Sequence, residues 1–368
     1  MQTPRQVIDN LLRGNGADRV GLNDSPWGDT VAKWIKQGLP ADDKGNAVDV
    51  ADHFGFDMRG TGGWFNWQPF PGTDVTIEET DEWKIVKNGA GAHLKWWKNK
   101  SGTPEHVDFS ITSREIWDRD YRPAIVKDPG ARINDDGVKW SADAIAKVHA
   151  NGDWWGFVGN QFIWENMRAS LGDYTMYMSL LTDKEWIHDI CRCYTDMYKA
   201  CWGKIFDSPA RPDGVWIYED LGYKHRLFAN PEVLKELIFP YFAELVEFCH
   251  SFDLPVVLHT CGFTEPALDM IVDAGFDGLH PMEVKAGNDP LRIAKNYGDK
   301  LCLIGGLDAR ILESHDRDHI RKEVTALIEG MKACNAKYVY ASDHSISTNV
   351  DYDDFRFSLD VYREHMLY

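Results

Sequence analysis

From residue 154 onward the chain repeats one pattern: a short apolar run that finishes on a polar residue, then a stretch with helical spacing. Six such runs occur, at 154–160, 215–220, 255–259, 278–283, 301–308 and 338–344. Helices fill the intervals. The clearest has Asn230 as cap, Pro231 at its first position, and Val233, Leu234, Leu237, Ile238, Tyr241 and Phe242 on one face. Pro240 should kink it, because proline lacks the donor and its ring collides with the preceding turn. Strands alternating with helices on this scale imply a parallel sheet covered on its faces.

A doubly wound sheet and a closed barrel both alternate this way. No Gly-x-Gly-x-x-Gly turn follows a strand, and no Gly-x-x-x-x-Gly-Lys-Ser/Thr loop is present. In a (β/α)8 barrel, reactive groups come from the C-terminal ends of many strands and converge on one mouth. Asn160, Glu219 with Asp220, His259 with Cys261, Glu283, Asp308, and Asp343 with His344 are distributed in that way. The expectation is an α/β fold, a (β/α)8 TIM barrel with an N-terminal helical and β-hairpin extension. Residues 1–368 form a single domain, 1–115 being the extension and 116–368 the main barrel repeat.

Within the extension, Thr3 before Pro4 starts a helix with Val7, Ile8, Leu11 and Leu12 on one face, and 29–37 gives a second. In the Gly- and aromatic-rich stretch 48–67, Phe54-Gly55-Phe56 is the expected first barrel strand. Alternation over 75–86, a turn at Asn88-Gly89-Ala90-Gly91 and an extended 93–97 read as the hairpin.

Lys and Arg number 40 against 58 Asp and Glu, a formal charge of −18. That opposes binding to a phosphate backbone or an anionic membrane. No apolar run approaches the roughly 18 residues of a membrane span, and the N-terminal residues lack a signal-peptide core, so a cytoplasmic location is expected. Seven cysteines without framework spacing suit free thiols in a reducing compartment. Cys191-x-Cys193 lies in a helical pattern, where i and i+2 diverge, and reads as core. Fifteen tryptophans are mostly core filler, yet Trp154, Trp155 and Trp164 also suit a pocket for a flat apolar ligand.

The run Val256-Val257-Leu258 ends in His259-Thr260-Cys261-Gly262, delivering an imidazole and a thiol to the point where the backbone turns. Both are ligands for a borderline metal. Together with Tyr218-Glu219-Asp220, Gly305-Gly306-Leu307-Asp308 and Tyr340-Ala341-Ser342-Asp343-His344, this segment resembles the uroporphyrinogen decarboxylase superfamily, and the likeness extends over essentially the whole chain. The resemblance implies a TIM barrel. Its His-x-Cys-Gly element is similar to that of the cobamide-dependent methyltransferase branch, where the His, the Cys and a later Cys bind Zn2+. Here His344 stands where that branch has the later Cys. The Arg-Gln-Ala-Gly-Arg signature of true uroporphyrinogen decarboxylases is missing, and a charge of −18 fits a polycarboxylate poorly.

The resemblance implies metal ligands His259, Cys261 and His344, with Glu219, Asp220 and Asp343 as catalytic acids or supporting carboxylates. Glu219 is a fourth ligand or the proton donor. Asn160, Trp155, Trp164, Glu283 and Asp308 are expected around the substrate. The implied function is zinc-assisted transfer of a methyl group from a small O-methyl or N-methyl donor, a methoxylated aromatic being favoured, to the corrinoid of a partner carrier protein. No Asp-x-His-x-x-Gly corrinoid-binding segment occurs in this chain. A metal-free decarboxylase of a small carboxylic acid is the alternative, and a non-catalytic ligand-binding barrel a third reading. A homodimer is left open.

Overall fold

The computed structural model describes residues 1–62, 65–99 and 102–368. Eight parallel strands form one sheet, and in spatial order they are Gly21–Leu22, Tyr338–Tyr340, Cys302–Ile304, Gly278–His280, Val256–His259, Gly214–Tyr218, Trp155–Gln161 and Met58–Gly60. The two edge strands meet through Asp57. Its N–H donates to the Leu22 carbonyl at 2.7 Å, and its carboxylate accepts the Leu22 N–H at 2.7 Å and is forked by Arg19. A buried carboxylate therefore closes a barrel whose last ladder is missing, and its arginine partner offsets the cost of burying the charge.

The helix Pro4–Arg13 plugs the N-terminal end of the barrel. Thr3 and Gln6 form a capping box, and Gly14, at φ 70°, ends it. Val7, Ile8, Leu11 and Leu12 pack against Trp155, Trp216, Val257, Ile304 and Val339 in the lower interior. Each such fully buried side chain contributes roughly 1.5–3 kcal/mol. Ligands must therefore enter from the opposite mouth, where the strands end.

The helix expected to kink at Pro240 is broken into Pro231–Leu237 and Phe239–Ser251, with Ile238 at φ −116° between them. The expected hairpin is part of a four-stranded antiparallel sheet, Val75–Glu79, Trp83–Lys87, Ala92–Trp97 and Glu105–Phe109, and its first arm, 75–86, is itself two strands paired across a turn at 80–82. Cys191 and Cys193 are buried in the helix Lys184–Phe206. The expectation for Phe54-Gly55-Phe56 is corrected. Phe54 ends the helix Val50–Phe54, which Asp49 caps through the Asp52 N–H, and Gly55 sits in the left-handed region at φ 78°. A helix stop signal precedes the strand, which begins at Met58. Residues 63 and 64 of the stretch 48–67 lie outside the described residues. No helix among the described residues is long and apolar enough to cross a membrane.

Candidate active site

Side chains alternate between the barrel interior and the helix layer along a strand, and that alternation decides which strand-end groups reach the mouth. Tyr218 faces inward and lines a cavity of about 270 Å³ at the barrel mouth. Glu219 faces outward. It is fully buried, and its carboxylate accepts the N–H groups of Phe162, Trp164 and Glu165 at the start of the helix Ile163–Thr182. Burial, reinforced by nearby Glu165, pushes its pKa well up, against the pull of those three donors. Glu219 thus anchors a helix and is not among the residues lining the cavity.

Asp220, inward again, accepts the Cys261 N–H at 2.9 Å, and its Oδ1 stands 3.6 Å from His259 Nε2. Cys261 Sγ lies 3.3 Å from the same Nε2. The ligand atoms of Asp220, His259 and Cys261 all fall within 4.8 Å of one another. Around a tetrahedral zinc bonded at about 2.0–2.3 Å, neighbouring ligand atoms stand roughly 3.3–3.8 Å apart, so the three residues fit such an ion. Burial lowers the His259 pKa despite Asp220, which favours the neutral, ligating imidazole. Burial raises that of Cys261 well above a free thiol, and the charges of Asp220 and Glu283 add to it.

The turn carrying His259 and Cys261 is held from two sides. Glu283 accepts the Gly262 N–H at 2.7 Å and pairs with Lys285 at 3.4 Å. Thr260 accepts the Leu221 N–H at 3.0 Å, tying the two strand ends together. Asp343 accepts the N–H groups of Val284 and Ala309, at 2.8 and 2.9 Å, bracing the next two loops, and burial raises its pKa. Asp308 caps the short helix Ala309–Leu312 and grips Arg310.

His344 lines the cavity together with His259 and His280, but it stands outside the group of three close ligand atoms. None of the five residues expected around the substrate lines this cavity: Glu283 and Asp308 brace their loops, and the other three lie elsewhere. Asn160 faces the helix layer, where Trp202 Nε1 donates to it at 3.3 Å; Trp155 belongs to the packed barrel base; Trp164 donates to the Asp220 carbonyl at 2.8 Å. The aromatic wall is instead Phe157, Trp216 and Tyr218, with Met58 below.

Two groups on the cavity wall escaped the sequence reading. Asp24 follows the first strand, accepts the Ser342 hydroxyl at 2.8 Å and the Ser25 N–H at 2.8 Å, and is pushed up to about 6 by burial. Its signal was faint, a two-residue strand ending in Asn23-Asp24-Ser25. His280 has its Nδ1 2.7 Å from that of His259, and burial holds its pKa well down. A second group of ligand-type residues among those described, His315, Asp351 and Asp354, is already neutralised, by Lys33 at 2.8 Å and Arg317 at 3.7 Å.

A parallel barrel with a His, Cys and Asp cluster of metal-holding geometry at its C-terminal mouth, beside a small aromatic-walled cavity, defines an enzyme-like architecture. The uroporphyrinogen decarboxylase (URO-D) family matches residues 168–365, more than half of the chain, and the chain belongs to that family. No curated relative matches it. Among solved structures, a methyltransferase from Methanosarcina mazei is similar over 99% of this chain and 99% of its own, with 14% identity and a TM-score of 0.66. At that identity the likeness is one of fold.

Proposed function

We propose that this protein is a corrinoid-dependent methyltransferase that takes a methyl group from a small donor, with a methoxylated aromatic favoured, and passes it to the cobalt of a partner corrinoid protein. The spacing of Asp220, His259 and Cys261, at 3.3 and 3.6 Å around one imidazole nitrogen, is the observation that carries this reading. Zinc held there would act as a Lewis acid on the departing oxygen. A reduced corrinoid on the partner would accept the methyl group, and the carbon–oxygen electron pair would leave with the phenolic oxygen, which the proposed zinc would stabilise until it takes a proton from solvent.

The chain supplies the rest of the chemistry. Phe157, Trp216 and Tyr218 give the cavity an aromatic wall for an aromatic donor, and about 270 Å³ sits just below the ~300–1,000 Å³ of drug-sized pockets, which suits a single ring. Asp220 is more than a third exposed on its side chain and His259 about a fifth, so the cluster is accessible, and His259 joins it to the cavity wall. The test is methyl transfer from methoxylated arenes to reduced cobalamin, followed by the cobalt absorption change, with and without a chelator. Transfer that is abolished by chelation and restored by Zn2+ supports the reading. Chelator-insensitive turnover counts against it.

A metal-free decarboxylation of a small acid is the second reading. It is favoured by the family and by Arg59, a buried residue of the cavity wall whose Nε and Nη2 donate no hydrogen bond. Release of CO2 from small aromatic or pyrrole acids in the presence of chelator is its test.

A further inference from the structure

His259 and His280 end neighbouring parallel strands in direct register, so both side chains rise together at the barrel mouth. Their ring centroids stand 4.8 Å apart, inclined at 32°, and Trp216 packs against His280 with centroids 5.0 Å apart at 61°. Two Nδ1 atoms separated by 2.7 Å must share one proton, one nitrogen being the donor and the other presenting its lone pair. On the other side of the His259 ring, Nε2 faces Cys261 Sγ and Asp220. A metal held by those three residues needs the Nε2 lone pair, which leaves the His259 proton on Nδ1 and makes His280 its acceptor.

We propose that His280 is the positioning residue of the metal centre: by accepting the Nδ1–H of His259 it fixes the ring orientation and tautomer that turn Nε2 toward Asp220 and Cys261. The inference rests on the metal-site reading above. A ligating imidazole ordinarily donates its other N–H to a carboxylate, a carbonyl or water, and loss of that partner typically costs 10–100-fold in metal affinity. Here the partner is a second, neutral imidazole. It adds no charge to the site, whereas a carboxylate would add a further negative charge beside Asp220 and Glu283.

The test uses the full chain and zinc alone. Zinc affinity is measured by competition with a chromophoric chelator for wild type, His280→Phe and His280→Asn, alongside metal-free thermal melts. Phenylalanine keeps a ring and removes the acceptor; asparagine places an oxygen near the position of Nδ1. Expected is a roughly 10–100-fold loss in His280→Phe, recovered for the most part in His280→Asn. The cobalt(II) absorption bands of His280→Asn should match wild type, because His280 is not itself a ligand. Wild-type affinity in a folded His280→Phe overturns the proposal, as does loss of a nitrogen ligand in the cobalt spectrum of His280→Asn. Nitrogen-15 spectra of the zinc-loaded wild type decide independently of any variant: a proton on His259 Nδ1 is expected, and one on Nε2 overturns it. A wild type that binds no zinc removes the metal site and this inference together, whereas equal binding by wild type and His280→Phe removes the inference alone.

Discussion

Gly262 lies so close to Gly222 that a Cβ on Gly262 would stand 2.1 Å from the Gly222 carbonyl carbon, and its φ of 82° is one that L side chains rarely adopt. The two glycines let the loop carrying Asp220 and the loop carrying Cys261 touch backbone to backbone. This contact brings Asp220 and Cys261, carried by separate strands, close enough together to hold the proposed ion. Gly262→Ala is expected to cost about 1–3 kcal/mol of stability through strain and to weaken zinc binding as well. Denaturant unfolding together with a zinc titration checks both effects. An alanine variant of unchanged stability and affinity would mean that the loops meet differently.

Glu219→Gln separates anchoring from catalysis. An amide –NH2 would replace an oxygen that accepts main-chain donors at the start of the helix Ile163–Thr182, leaving like groups opposed in a buried site. A stability loss of about 1–3 kcal/mol is expected, with zinc stoichiometry unchanged. Denaturant midpoints and metal analysis measure these, and loss of metal without loss of stability would return Glu219 to the ligand set.

Asp24 makes a pH signature. Its folded pKa, about 6, lies above the ordinary carboxylate value, so the native state holds the proton more tightly than the unfolded chain. Its contribution to stability is fully present below about pH 4 and is lost as pH rises toward about 6, by roughly 2–3 kcal/mol. Subtracting the stability curve of Asp24→Asn from that of wild type between pH 4 and 7 should reveal this fall. A flat difference would contradict the burial that raises the pKa.

The barrel is legible in the sequence because its last six strands are apolar runs closed by polar residues, and the Asn230–Pro231 cap, the break before Pro240 and the plug helix follow from local chemistry. The first two strands are short, and Gly21–Leu22 leaves no periodicity to read. Strand-end acids were identifiable as a set, but their direction was not: one step of alternation sends Glu219 into the helix layer and Asp220 into the mouth. His280 escaped notice because its importance comes from register with His259, a relation between strands rather than within one.

His344 lines the cavity while standing outside the three close ligand atoms. His344→Ala is expected to keep its zinc and to raise KM for the methyl donor several-fold with less effect on kcat, as removal of a cavity-wall contact should. Loss of zinc in this variant would put His344 among the ligands.

The zinc content of the metal-replete wild type, set against Cys261→Ser and Asp220→Ala, tests the proposed centre most directly. About one zinc per chain in wild type, falling sharply in both variants, is the expected result for a three-residue site with an open fourth position. A wild type that stays metal-free after zinc loading would contradict a metal-assisted transfer and leave the decarboxylase reading ahead.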